Sequence, residues 1–197
     1  MQTPSHFIIS SAIGRNIVQP TIKFSWMAFL IGSVLPDIPF TLLTLGGEIF
    51  YRWFAPLPVT GVSIMEYLHF DLFFTSWWWI VPHNFFHSIV INGVLIILGW
   101  WLWQKNYSWG RFIFWLAIST QLHTVIDIFT HTSDGPLFLF PLSLTYRFAS
   151  PISYWESESF GRLFIFFEYG LDIFLLVYLW WSWRKNSVPA LTTQEQE

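Results

Sequence analysis

The sequence predicts an all-α integral membrane protein, a helical bundle of about four transmembrane helices with short N-terminal and interfacial helices beside them. Composition is the first reason. The 197 residues are 54% hydrophobic and 22% aromatic but only 11% charged, where a soluble domain carries about 25% charged residues. The second reason is four apolar runs, each close to the roughly 20 residues a helix needs to cross a bilayer. The third is a set of ionisable side chains inside those runs, His123, Asp127 and His131 foremost. Such groups are costly in apolar surroundings unless paired, packed within a bundle or holding an ion.

The elements follow in order. Thr3-Pro4-Ser5 is a helix-start signal and opens a short apolar helix over 4–18. The first span runs from Phe24 to Leu45 and contains a proline break at Pro36. Residues 62–80 are aromatic but interrupted by Glu66, His69 and Asp71, which suits the interface or a partial span. Spans two and three cover Phe85 to Trp103 and Phe112 to Thr130. Segment 136–160, with three prolines and several aromatics, reads as a structured loop on the membrane surface. The fourth span covers Leu163 to Trp183. Residues 1–185 therefore make one membrane-embedded domain, and the polar tail 186–197 reads as disordered.

No basic region and small-residue cleavage site precede the first apolar run, so no cleavable signal peptide is expected. The chain has no cysteine, which excludes disulfides and thiolate metal sites. A formal net charge of −3 and the lack of a basic cluster exclude a nucleic-acid partner. Membrane lipid and a small-molecule or lipid-like substrate remain as partners, and the oligomeric state is not encoded in any pattern.

Charge sets the orientation. Arg15, Lys23, Lys105, Arg111, Arg184 and Lys185 fall on one side of a four-span arrangement, and only Arg52, Arg147 and Arg162 on the other. The positive-inside rule puts the Lys105–Arg111 turn and the C-terminus in the cytoplasm of a plasma or inner membrane protein.

The same arrangement gathers the candidate ligands at the outer side. His123, Asp127 and His131 sit at four-residue spacing, and each such step advances about 6 Å along one face of a helix. His123 and His131 are thus about 12 Å apart along the axis and cannot easily share one ion. His123 and Asp127 form the core pair, with His131 at the rim. Asp37 follows Pro36 and suits either a helix start or a ligand. His83 and His87 open the second span, and Glu168 and Asp172 lie in the outer half of the fourth. His6 joins them only if residues 4–18 enter the membrane from the outside. Imidazoles with carboxylates suit a divalent transition metal, zinc first, then manganese or iron, as one or two ions. Glu168, Asp172 and His131 are the candidate proton acceptors or substrate-side groups.

Several blocks carry a family resemblance. They are Thr3-Pro4-Ser5-His6, Gly32-Ser33-Val34-Leu35-Pro36-Asp37, His83-Asn84-Phe85-Phe86-His87-Ser88, His123 to Asp127, Thr130-His131, Asp134-Gly135-Pro136 and Leu139-Phe140-Pro141-Leu142-Ser143. Together they resemble the family of membrane-bound, metal-dependent hydrolases that includes a LexA-regulated bacterial member, and they cover most of residues 1–145. The resemblance implies a hydrolase with a metal held by His6, Asp37, His87, His123 and Asp127. More distantly, the order of these ligands is similar to the zinc-dependent phospholipase C and S1/P1 nuclease group. Where that group has a further His-x-x-x-Glu pair, this chain has Glu168-x-x-x-Asp172, which favours one or two metals over three. Asn84 stands where many members of the hydrolase family have arginine.

A membrane-embedded hydrolase using metal-activated water on a phosphoester or lipid-like substrate is therefore the expected function. Two non-enzymatic readings use the same cluster. A b-type haem protein would take His87 and His123 as axial ligands but has no need of the carboxylates. An ion or metal transporter predicts broken helices in paired halves, and only the break at Pro36 is visible in the sequence. A structural or lipid-tethering protein that keeps the site without turnover is a third alternative.

Overall fold

The computed structural model describes residues 1–17 and 23–187, and among them there are helices and loops but no strand. The main helices are α1 (Thr3–Ile17), α2 (Trp26–Val34), α3 (Asp37–Trp53), α4 (Trp77–Phe86), α5 (Ile89–Gln104), α6 (Ser108–Thr130) and α7 (Gly161–Ser187). Among the described residues, α6 and α7 are each long and apolar enough to cross a membrane alone. The pairs α2–α3 and α4–α5 qualify as bent spans, at 48° and 45°. By length and composition the described residues thus offer two candidate crossings, or up to four when each bent pair counts as one. Of the predicted tail over 186–197, Asn186 and Ser187 end α7 and the rest lies outside the described residues.

The first bend is chemistry written in the sequence. Pro36 has no N–H for the carbonyl four residues back, which belongs to Gly32. Thr120 on α6 donates its hydroxyl to that carbonyl at 3.2 Å. The second bend, between His87 and Ser88, corrects the expectation of a single break. No proline stands there; instead Ser88 turns extended (φ −94°, ψ 123°) and its Oγ accepts from the Ile91 N–H at 3.1 Å. That is an N-cap, and it restarts the helix in a new direction. The carbonyl of Phe86 that the break exposes accepts from Asn92 Nδ2 at 2.9 Å and from the Thr124 hydroxyl at 3.3 Å. The second apolar pair accordingly begins at Trp77 rather than Phe85, and the first extends to Trp53.

Helix α6 lies at the centre, packed against α2 and α5, while α1 packs on α2 and α7. Its buried face carries Gly110, Ala117, Ser119, Thr120 and Thr124, small residues that let helices approach closely without a hydrophobic drive between them. Gly110 lies so near the α5 backbone at Leu102 and Trp103 that any Cβ would collide with it. The hairpin between α5 and α6 closes on Asn106 in the left-handed region (φ 63°), with Asn106 N–H to Trp103 O and Tyr107 N–H to Leu102 O. This is the Schellman pattern of a helix end. Helix α7 leaves Leu163, Phe166, Phe174 and Val177 exposed, as suits a lipid-facing helix.

Residues 64–75 are helical in three short pieces, and Leu68 and Phe73 pack there with Trp79 and Phe40. The loop from His131 to Phe160, helical only at Ser157–Ser159, is stitched over the ends of α4 and α6. Leu137 N–H donates to Asn84 Oδ1 at 2.6 Å, Ile89 N–H to Phe138 O at 2.8 Å and Tyr154 N–H to Thr130 O at 2.9 Å. The Ser88 hydroxyl donates to Phe140 O.

Candidate metal centre

Each bent span contributes one residue at its bend. Asp37 is the first residue of α3, and His87 closes α4. The unbroken α6 supplies His123 and Asp127, one turn apart on its buried face. One donor atom from each of the four lies within 4.8 Å of all the others, so the set can hold a metal ion. His123 Nε2 is 3.0 Å from Asp127 Oδ2 and 3.4 Å from Asp37 Oδ1; His87 Nε2 is 3.3 Å and 3.6 Å from the same two oxygens. Bonds of about 2.0–2.1 Å at tetrahedral angles separate neighbouring donors by about 3.3 Å. The imidazole–carboxylate edges are those of a coordination polyhedron.

The protonation pattern fits the same conclusion. His123 Nδ1 donates to Ser33 O at 2.7 Å, and His87 Nδ1 to His83 O at 2.9 Å. A backbone carbonyl only accepts, so both Nδ1 atoms carry hydrogen, and in its neutral form each ring presents a lone pair at Nε2. His123 Nε2 is fully enclosed and has no hydrogen-bond partner, despite its nearness to Asp127. Lone pairs turned towards carboxylate oxygens repel unless a metal ion or a proton stands between them. Hydrogen bonds at the outer edges of metal ligands fix ring tautomer and direction in just this way.

The carboxylates are held at their far oxygens. Asp127 Oδ1 accepts from His6 Nε2 at 2.9 Å and lies 3.1 Å from the Met1 amine. Asp37 Oδ2 accepts from the Thr3 hydroxyl. The rings of His6 and His123 stack at 3.7 Å, each edge meeting a different oxygen of Asp127. His6 thus touches the centre through Asp127 and stands outside the converging four.

A cavity of about 340 Å³ opens beside the centre. Asp37, with a fifth of its side chain exposed, faces it together with His83, His87, Asp127, His131, Asp134 and Tyr154, and Phe40 and Phe73 form an apolar wall. His83 packs on His87 with ring centroids 4.4 Å apart, and its Nδ1 has no partner. His131 ends α6; its Nδ1 donates to Asp127 O at 3.0 Å and its ring lies 4.7 Å from that of Tyr154. Burial holds the His131 imidazole below its usual range, against the pull of Asp127. Burial, reinforced by Asp134 and Asp127, holds the Tyr154 hydroxyl well above the ordinary tyrosine range, so it stays a neutral donor.

Glu168 and Asp172 are buried on α7 but do not line the cavity; they face α1. Glu168 Oε1 accepts from Gln2 N–H and Asp172 Oδ2 from the Ser5 hydroxyl, both at 2.7 Å. The four acids at the heart of the bundle are therefore all tied to residues 2–6, at the opening of α1. Sequence reasoning gave no role to Thr3, Tyr154 or Asp134. All three lay inside recurring blocks, Tyr154 in Pro151-Ile152-Ser153-Tyr154-Trp155, whose histidines and prolines drew attention first.

No curated protein and no solved structure matches the chain. One family model matches residues 1–192, nearly the whole length, and its description as an inner membrane protein agrees with the apolar helices and the bent spans. On that match, the chain belongs to the YdjM inner membrane protein family.

Proposed function

We propose that this protein is a membrane-embedded, metal-dependent hydrolase acting on a phosphoester or lipid-like substrate at the extracytoplasmic face. The observation that carries the reading is the meeting of two carboxylate oxygens with two imidazole lone pairs whose Nδ1–H groups are already engaged. An ion held there lowers the pKa of a bound water towards about 7 and polarises a phosphoryl or carbonyl oxygen. The donor set suits zinc, with manganese or iron as alternatives.

The chain's own residues supply the rest. His131 faces the cavity with Nδ1 spent on Asp127 O, which leaves Nε2 to accept a proton from the attacking water. Tyr154 stands beside it as a neutral donor to a substrate oxygen. Glu168 and Asp172 brace α1, and the proton-acceptor role falls to His131. Phe40 and Phe73 offer an apolar wall to an acyl or other greasy group. Exposed Phe70, Leu142, Leu144 and Phe160 lie in the segments next to the cavity, where a lipid substrate would arrive.

The two broken spans also meet a requirement of the transporter reading, so the test must separate turnover from mere ion binding. Detergent-purified protein is analysed for zinc, manganese and iron beside Asp127→Ala, and both are assayed for hydrolysis of an activated phosphodiester and of phospholipid in mixed micelles. Wild type should carry about one or two metals per chain and release product; the variant should lose both. A metal-free wild type, or a variant with undiminished metal, refutes the centre. Full metal without hydrolysis of either substrate refutes the proposed enzyme.

A further inference from the structure

We propose that Thr3 is a positioning residue that restricts Asp37 to a single ligand oxygen and so keeps a coordination place open towards the cavity. The proposal rests on the metal reading above. Four protein donors close a tetrahedral site, whereas a catalytic ion needs room for water. Room remains only if neither carboxylate binds through both oxygens. Asp127 meets this condition because its Oδ1 is occupied by His6 and its Oδ2 faces the imidazoles. Asp37 is the least buried of the four, with a fifth of its side chain exposed, and lines the cavity into which its second oxygen would turn.

Thr3 prevents the swing. Its hydroxyl donates to Asp37 Oδ2, a hydroxyl-to-carboxylate bond of the charge-assisted kind, while Asp37 Oδ1 faces His87 and His123. This hydroxyl reaches a residue 34 positions away rather than serving its own helix. At the opening of α1, both Ser5 N–H and His6 N–H are taken by the Gln2 carbonyl. Thr3 also lines the cavity, so the bond lies at the face where the open place must be. Without the hydroxyl, Asp37 rotates, offers both oxygens and fills that place.

Cobalt(II) reads this directly, because its visible spectrum reports coordination and any exchangeable ligand. Wild type, Thr3→Val, Thr3→Ala and Thr3→Ser are loaded with excess cobalt in detergent and titrated with inorganic phosphate as the incoming ligand. Phosphate should shift the spectrum of wild type and Thr3→Ser alike. Under the excess of cobalt, Thr3→Val and Thr3→Ala should hold the ion with an altered spectrum and bind phosphate at least about tenfold more weakly, because the open place is then filled by the second Asp37 oxygen. Unchanged phosphate binding in both non-hydroxyl variants overturns the proposal. So does loss of cobalt from both, since a freed carboxylate gains a donor atom. A wild type that takes up cobalt but ignores phosphate overturns the open place while leaving the centre intact. A wild type that takes up no cobalt removes the metal reading itself.

Discussion

Asn84 carries no ligand role at the centre, and the structure gives it a task of its own. Its Nδ2 donates to Ile80 O at 2.7 Å, and its Oδ1 accepts from Leu137 N–H at 2.6 Å, so one amide ties the roof loop to α4. Both groups are buried. Asn84→Ala leaves the Leu137 N–H without a partner, a loss of about 1–3 kcal/mol. The expected result is a lower thermal midpoint in detergent with metal content retained, and a wild-type midpoint would show that the loop is held by other bonds. Residues of this kind mark the limit of reading a site from sequence. His123 and Asp127 were legible because helical spacing puts them on one face. Asp37 and His87 were legible as polar groups at matching depth. The atoms that aim them were not: Ser33 O and His83 O are main-chain groups with no side-chain identity. A threonine near a helix start is common enough that Thr3 passed as part of the start signal.

At the scale of elements, the apolar runs announced the membrane helices, and Pro36 announced the first bend. The second bend stayed hidden because a serine N-cap inside an apolar run looks like one small polar residue among many. Its consequence is large, since the bend puts His87 at a helix end and brings the ring to α6. The first bend works through close approach. Gly32 faces α6 at the Leu116 carbonyl, and an added Cβ would collide with that oxygen and lie 2.9 Å from the Ser119 Cβ. Gly32→Ala should therefore push α2 away from α6, at a cost of about 1–3 kcal/mol. It should also weaken metal binding, because the next residue's carbonyl holds His123 Nδ1. Gly93→Ala on α5, where nothing lies within 4 Å of the new Cβ, is the control and should leave zinc affinity unchanged. Equal zinc affinity in both variants would show that the α2–α6 contact does not set the direction of His123.

For the whole molecule, the charge asymmetry read from the sequence acquires a geometry. Arg15 Nε donates to Ser182 Oγ at 2.9 Å, which brings the end of α1 beside the end of α7 with Arg184 and Lys185. Trp115 Nε1 donates to Lys23 O at 3.2 Å, which joins the start of α2 to the same end of α6 as the tight turn of Lys105 and Arg111. The six cations thus collect at one end of the bundle, and the metal centre with its roof loop lies towards the other. The positive-inside rule predicts a cytoplasmic cationic end and a cavity that opens outside. A chain without cysteine makes this simple to test. Leu142→Cys in the roof loop and Ser108→Cys in the tight turn both replace exposed, uncharged residues and leave the orienting charges intact. In intact cells with a permeable outer barrier, a membrane-impermeant maleimide should label Leu142→Cys alone, and lysis should add Ser108→Cys. The reverse pattern would turn the centre to the cytoplasm, and its substrate would then have to come from the inner leaflet or from soluble phosphoesters within the cell. The sidedness therefore decides which pool of substrate the cavity can meet.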